Sequence, residues 1–132
     1  MVKHLEEVKF EVICRSHRII VDQPESDKGT DQGMTPVELL NASLASCAAY
    51  YAVVFLKRRS PDLTGLEVQC SWQYSEDPRR VSAMHLTIVT PRALTEPEKD
   101  GLFRMVGHCT VGNTLNHSPS IRIDIQVARD FV

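Results

Sequence analysis

The sequence predicts an α+β domain in which a mainly antiparallel sheet packs on one long central helix. Three observations predict it. Segments near both ends of the chain alternate apolar and polar residues, the period of a half-buried strand. One apolar run, Pro36 to Leu56, opens with a helix-capping pattern. The length, 132 residues, suits a single core. No repeat, low-complexity tract or linker divides the chain, so residues 1–132 are read as one domain.

The elements follow in order. Val8, Phe10, Val12 and Cys14 fall on one face of a first strand and Lys9, Glu11 and Arg15 on the other, with Ile13 out of phase. Arg15-Ser16-His17 turns the chain into a second strand, Arg18 to Asp22, and the Pro, Gly, Asp and Ser of Gln23 to Met34 read as a loop. Thr35-Pro36-Val37-Glu38 then places Thr35 at an N-cap, Pro36 at the first helical position and Glu38 where it reaches back to the cap N–H. The pattern runs to about Arg59 and stops before Pro61. At 1.5 Å per residue this helix spans about 35 Å. Between Leu39 and Leu56 nearly every face is apolar or small, so the helix is expected to be buried all round. One small sheet covers one side, and the other calls for a second subunit.

After Gly65 the alternation returns. Leu66, Val68, Cys70, Trp72 and Tyr74 face one way, then Met84, Leu86 and Ile88 do the same across a connection at Asp77 to Arg80. These strands form an antiparallel hairpin with one wet face. Thr95-Glu96-Pro97-Glu98 repeats the capping box and starts a second helix with Leu102, Phe103 and Val106 inward. Cys109 to Asn116 reads as a short further helical turn, and Ile121, Ile123, Ile125 and Val127 alternate with Arg122, Asp124 and Gln126 in a closing strand.

Composition narrows the function. Fifteen basic against seventeen acidic residues leave a net charge of −2, which argues against coating nucleic acid or an anionic membrane. The first residues are too polar for a signal peptide, and Glu38, Asn41, Ser43 and Ser46 within the apolar run mark a buried helix rather than a membrane span. A cytoplasmic location is expected. In that reducing compartment the four well-separated cysteines are core residues, ligands or reactive thiols rather than staples. His108, Cys109 and His117 lack the paired spacing of a zinc site, and no phosphate loop, nucleophile elbow or H-E-x-x-H motif is present, so no metal or cofactor is expected.

Cys14 and Cys70 lie on apolar strand faces, where a thiol behaves as a small hydrophobe. Cys47 sits mid-helix among small residues, which fits close helix packing as well as a reactive sulfur with room beside it. Cys109 opens a helical turn, where a thiol gains from the positive end, or simply occupies a bend.

Taken together, two segments resemble the OsmC/Ohr family, the osmotically induced protein C and organic hydroperoxide resistance proteins. Thr35-Pro36-Val37-Glu38-Leu39-Leu40 with Ala42-Ser43-Leu44-Ala45-Ser46-Cys47 is similar to its first cysteine motif, and Cys109-Thr110-Val111-Gly112-Asn113-Thr114-Leu115 to its second. Asp22-Gln23-Pro24, Gly29 and Asp31-Gln32-Gly33 resemble the loop that leads to the first motif. Thr110 and Gly112 depart from the pattern, standing where many members carry Pro and Ser or His. The resemblance implies the OsmC-like fold, an intertwined homodimer and thiol-dependent reduction of organic hydroperoxides, with hydrogen peroxide as a further substrate. It implies Cys47 as peroxidatic cysteine, Cys109 as resolving cysteine, Glu38 as the conserved carboxylate and Arg18, or alternatively Arg15, as its arginine. An external dithiol, a lipoyl-type group among the candidates, would reset the disulfide.

That chemistry needs a thiolate. At an ordinary pKa near 8.5 only about 3% of a thiol is ionised at pH 7, against about 90% at a pKa near 6. Burial works against ionisation. Cys47 lies twelve residues past Thr35, beyond reach of its own helix's terminal field. The expectation is therefore a guanidinium, Arg18 or Arg15, imported from another element or chain and held by Glu38. Two other functions stay open: a non-catalytic dimeric binding module for a small apolar ligand, with Tyr50, Tyr51 and Phe55 lining its pocket, and a dimer that has lost catalysis.

Overall fold

The computed structural model describes residues 1–128. Its strands are β1 (Val2–Glu6), β2 (Lys9–Cys14), β3 (His17–Val21), β4 (Glu67–Ser75) and β5 (Arg80–Val89), and its helices α1 (Pro36–Lys57), α2 (Glu96–Val106) and α3 (Thr110–Asn116). The α+β class, the antiparallel pairing and the long helix are as expected. The strands make two sheets, β1-β2-β3 and the hairpin β4-β5.

β1 has no counterpart in the sequence reading, because Val2 to Glu6 lacks clean alternation and all five residues are exposed. Pairing holds it instead. It runs antiparallel to β2, and the Met1 amine and carbonyl clasp the Ile13 carbonyl and N–H at 2.9 and 2.8 Å. Ile19 and Ile20 of β3 remain exposed, and so does Cys14, which is therefore no core hydrophobe within this chain.

Asp22 follows β3 and is almost wholly buried. Its carboxylate accepts hydrogen bonds from the Gln23, Thr30 and Gln32 N–H groups at 2.8, 3.1 and 3.2 Å and from the Thr30 hydroxyl at 2.7 Å. The Thr30 hydroxyl leads the set that overcomes burial and lowers the Asp22 pKa to about 2. The loop closes so tightly that a Cβ on Gly29 would lie 1.8 Å from the Gln23 carbonyl oxygen, so only glycine fits there.

α1 starts with the expected capping box: the Thr35 N–H donates to Glu38 Oε2 at 2.7 Å and the Glu38 N–H to Thr35 Oγ1 at 3.2 Å. The helix is apolar enough and long enough to cross a membrane by those two measures. Yet one stripe of it, Asn41, Leu44, Ala48, Ala52, Phe55 and Leu56, is buried, and α1 packs against β4, α2 and α3. Burial on every side, expected from composition, is not reached within one chain; Tyr50 is 63% exposed.

The β4-β5 hairpin keeps its predicted inner face at Val68, Cys70, Trp72, Met84, Leu86 and Ile88. Tyr74 departs from it. It is exposed, with the Arg79 guanidinium 4.7 Å over its ring. An extra residue, Ser82, enters β5 between the Gln73–Ala83 and Tyr74–Val81 pairs, and this bulge shifts the phase of β5 so that Val81 pairs with Tyr74. α2 opens with the second capping box, where Glu98 also pairs with Arg92 at 2.7 Å. A core forms from Ala52, Phe55, Leu56 and Leu102, flanked by Leu63, Leu66, Ile88, Leu94, Met105 and Val106. Gly101 lets α2 lie against it, since a Cβ there would come within 2.8 Å of the Phe55 ring. Phe103, expected inward with Leu102 and Val106, is 82% exposed.

The closing strand does not form. Residues 118–128 are extended without regular structure, and Ile121, Ile123, Ile125 and Val127 stand exposed. A strand needs a hydrogen-bonded neighbour, and none of the described strands pairs with this segment.

Candidate active site

Two elements meet at two sulfurs. Cys47 lies half-buried in the middle of α1, and Cys109 is buried at the start of α3, which packs on α1. Both are free thiols. Cys109 serves as the N-cap of α3: its Sγ accepts from the Gly112 N–H at 3.3 Å, the position a serine or threonine oxygen takes in an ordinary cap.

The two sulfurs are pushed in opposite directions. Burial alone would raise the Cys47 pKa, but the neighbouring Cys109 thiol and the Val111 and Thr110 N–H groups favour its thiolate, and the net direction is downward. Cys109 moves the other way. Burial raises it, and the neighbouring Cys47 raises it further, against a smaller opposing effect of the Gly112 N–H. The pair can therefore hold one negative charge on Cys47, with Cys109 protonated.

The expected cation is not what lowers Cys47 in this chain. Arg18 donates to Glu11 Oε1 at 3.0 Å on the exposed face of the N-terminal sheet. Arg15 occupies the tight β2–β3 turn with φ of 56°. Glu38 is committed to the α1 cap and holds no arginine among the described residues. The structure thus brings Cys47 and Cys109 together but leaves Glu38, Arg15 and Arg18 apart from them. The missed contributors are the Thr110 and Val111 amides. The sequence signal was there, a helical turn opening at Cys109.

Thr110 now has a physical meaning. Many members of the resembled family carry Pro there, and proline has no N–H to give. The threonine supplies a donor to Cys47. Gly112 keeps space open: a Cβ there would meet Cys109 Sγ and Leu44 at an ordinary 3.6 Å.

Beside Cys109 lies an open groove of about 530 Å³, walled mostly by apolar side chains including Leu40, Leu44, Met84, Leu86, Phe103, Val106 and Leu115. Tyr50, Tyr51 and Phe55, considered as pocket residues from sequence, do not line it. Of the remaining cysteines, Cys70 points its thiol at Asn41 Oδ1, 3.4 Å away, and burial raises its pKa. Among the described residues, no three His, Cys, Asp or Glu side chains gather as a metal site.

The sequence profile of the family described as OsmC-like protein matches residues 29–124. No protein among those with curated function matches the chain. Several solved structures share its fold. An osmotic stress induced and detoxification response protein of Psychrobacter arcticus 273-4 superposes with a TM-score of 0.77 at 24% identity, covering 86% of this chain and 85% of the other. An OsmC like protein of Mycoplasma pneumoniae gives 0.69 at 20% identity, over 89% and 86%. An organic hydroperoxide resistance protein OsmC of Legionella pneumophila, also described as a predicted redox protein and regulator of sulfide bond formation, gives 0.61 at 16% identity, over 87% of each chain. At these identities the structures speak for the fold. The profile match, which spans both cysteine segments and most of the residues between the N-terminal sheet and the closing segment, shows that the protein belongs to the OsmC-like family.

Proposed function

We propose that this chain is a dimeric, cytoplasmic thiol peroxidase that reduces organic hydroperoxides, and hydrogen peroxide less readily, in the defence against oxidative stress. The observation that carries this reading is the packing of α3 on α1, which sets the Cys109 thiol and the first amides of α3 beside Cys47, where they lower its pKa. Family membership and the redox description of the Legionella relative point the same way.

In the first step the Cys47 thiolate attacks the distal peroxide oxygen. The O–O bond breaks, the alkoxide leaves and takes a proton from water, and Cys47 becomes a sulfenic acid. With the negative charge gone, Cys109 loses the neighbour that kept it protonated. Its thiolate attacks the Cys47 sulfur, hydroxide leaves as water, and a Cys47–Cys109 disulfide closes. A dithiol such as a lipoyl-type group then reduces the disulfide by exchange and is itself oxidised. The groove beside Cys109 would take the alkyl part of the substrate, which favours organic hydroperoxides over hydrogen peroxide.

The homodimer is part of the proposal. An exposed Tyr50 on the central helix, an exposed Phe103 and an unpaired apolar closing segment are surfaces that a second copy would cover. That copy could also deliver Arg18, or Arg15, to Glu38 and Cys47 as a further stabiliser of the thiolate.

The test is titration of the reduced protein with cumene hydroperoxide. One fast equivalent should be consumed, and a peptide map should show Cys47 linked to Cys109. Cys47→Ser should abolish consumption. Cys109→Ser should keep the first oxidation and lose the disulfide. Full turnover in Cys47→Ser removes the mechanism. The groove also favours a second reading, a binding module for an apolar ligand; retained free thiols together with tight binding of such a ligand would select it.

A further inference from the structure

A second cavity, of about 630 Å³, opens at the C-terminal end of α1 beside α2 and shares no lining residue with the groove at Cys109. Phe55 and Met105 give it an apolar floor, and Arg58, Arg59, Arg104 and His108 stand around it. None of its described lining residues is acidic. Arg58 lies eleven residues past Cys47, about 17 Å along the helix, and the cavity meets the other sulfur's segment only at His108, next to Cys109 in sequence.

The arginines here are unlike most others in the chain. Arg18, Arg79, Arg92 and Arg122 each pair with a carboxylate. Arg58, Arg59 and Arg104 form no ion pair among the described residues. Arg59 is held in place: its Nη1 donates to the Phe55 carbonyl at 2.9 Å, and its guanidinium stacks 3.7 Å over the Phe55 ring. That leaves its remaining N–H groups free to donate. Basic residues at a helix end are ordinarily explained by the helix's own field. The C-terminus of α1 offers only about half a negative charge, which one arginine already exceeds. Three like charges around one opening repel each other unless an anion joins them.

We propose that this cavity is a ligand site for a small molecule bearing a phosphoryl group, with the arginines on its oxygens and an apolar or aromatic part on Phe55 and Met105. A doubly charged phosphoryl group answers three guanidiniums better than a single carboxylate does, and their planar forks match its oxygens. The volume is that of a small-molecule pocket.

Calorimetric titration of the full-length reduced protein at physiological salt tests this, with pyrophosphate, ADP and citrate as probes. Pyrophosphate and ADP should bind, and Arg58→Ala with Arg104→Ala should weaken both at least tenfold while leaving the melting temperature and the rate of Cys47 oxidation unchanged. Arg80→Ala with Arg122→Ala removes the same charge elsewhere and should leave binding within about twofold. The proposal fails if neither phosphate probe binds at millimolar concentration, if both double variants lose affinity equally, or if citrate binds as tightly as pyrophosphate. The binding isotherms do not depend on peroxidase activity, so the fate of this site is independent of the function proposed for the cysteines.

Discussion

Cys47 and Cys109 are pushed apart in pKa: the neighbouring Cys109 thiol helps to lower Cys47, while burial and then Cys47 itself raise Cys109. The sulfur that loses its proton first is therefore Cys47. In the proposed mechanism the second sulfur is held in reserve beside the first and gains reactivity only when the charge on Cys47 has been consumed. Sequential oxidation would then need no movement of a distant base.

The pH profile of Cys47 alkylation checks this ordering. Reactivity should rise as pH rises through the Cys47 pKa and flatten above it, with the inflection below that of an ordinary thiol. In Cys109→Ala the donor is lost, and the inflection should move upward. Iodoacetamide labelling read peptide by peptide gives both curves; coincident curves would show that Cys109 does not support the thiolate.

Thr110→Pro tests the backbone contribution. Proline suits the first position of α3, and Cys109, with φ of −55° and ψ of 115°, already lies outside the helical region that a following proline disfavours, so the fold should hold. The amide directed at Cys47 is lost. A bond to a charged acceptor is worth about 1.5–3 kcal/mol, so peroxide-driven oxidation at pH 7 should slow on the order of tenfold. Thr110→Ala keeps the N–H and should react as the parent does. Stopped-flow fluorescence would decide, and an unslowed Thr110→Pro would sink the assignment.

Asp22 makes a stability prediction. Its folded pKa, about 2, lies below the unfolded value near 3.9. Its contribution is therefore present above about pH 4 and is lost as pH falls toward 2. Asp22→Asn should lower the urea midpoint at pH 7 and shrink the drop between pH 7 and pH 2.5. An equal drop in parent and variant would show that the carboxylate does not clamp the loop.

The closing segment tests the dimer. Ile123→Lys with Ile125→Lys places two charges on side chains that are 81% and 93% exposed in the single chain. If a second copy covers them, sedimentation at micromolar concentration should shift toward monomer. Unchanged sedimentation would remove the segment from the interface.

Much of the local structure was legible in the sequence because local rules govern it. Both capping boxes, the start of α1 and the β4-β5 hairpin follow from residues a few positions apart. What was not legible depends on partners distant in sequence. β1 exists through pairing with β2 rather than through its own pattern. Val81 pairs with Tyr74 because of one inserted residue, Ser82, in its own strand. Ile121 to Val127 has the alternation of a strand but no neighbour in the described chain. At the site, the two cysteines were legible as a motif. The source of the Cys47 shift was not, since the reading looked for a charged side chain and the structure supplies amides and a thiol.

Gly101 carries a consequence for that pair. It seats α2 on the buried Phe55 ring, with no room for even a methyl group, and α2 is joined to Cys109 through only Gly107 and His108. Enlarging residue 101 would wedge the two helices apart, and the short tether would hand the displacement on to the sulfur. The seat of α2, and with it the short lead into Cys109, thus depends on a position that touches neither thiol, which makes helix spacing a remote handle on the pair.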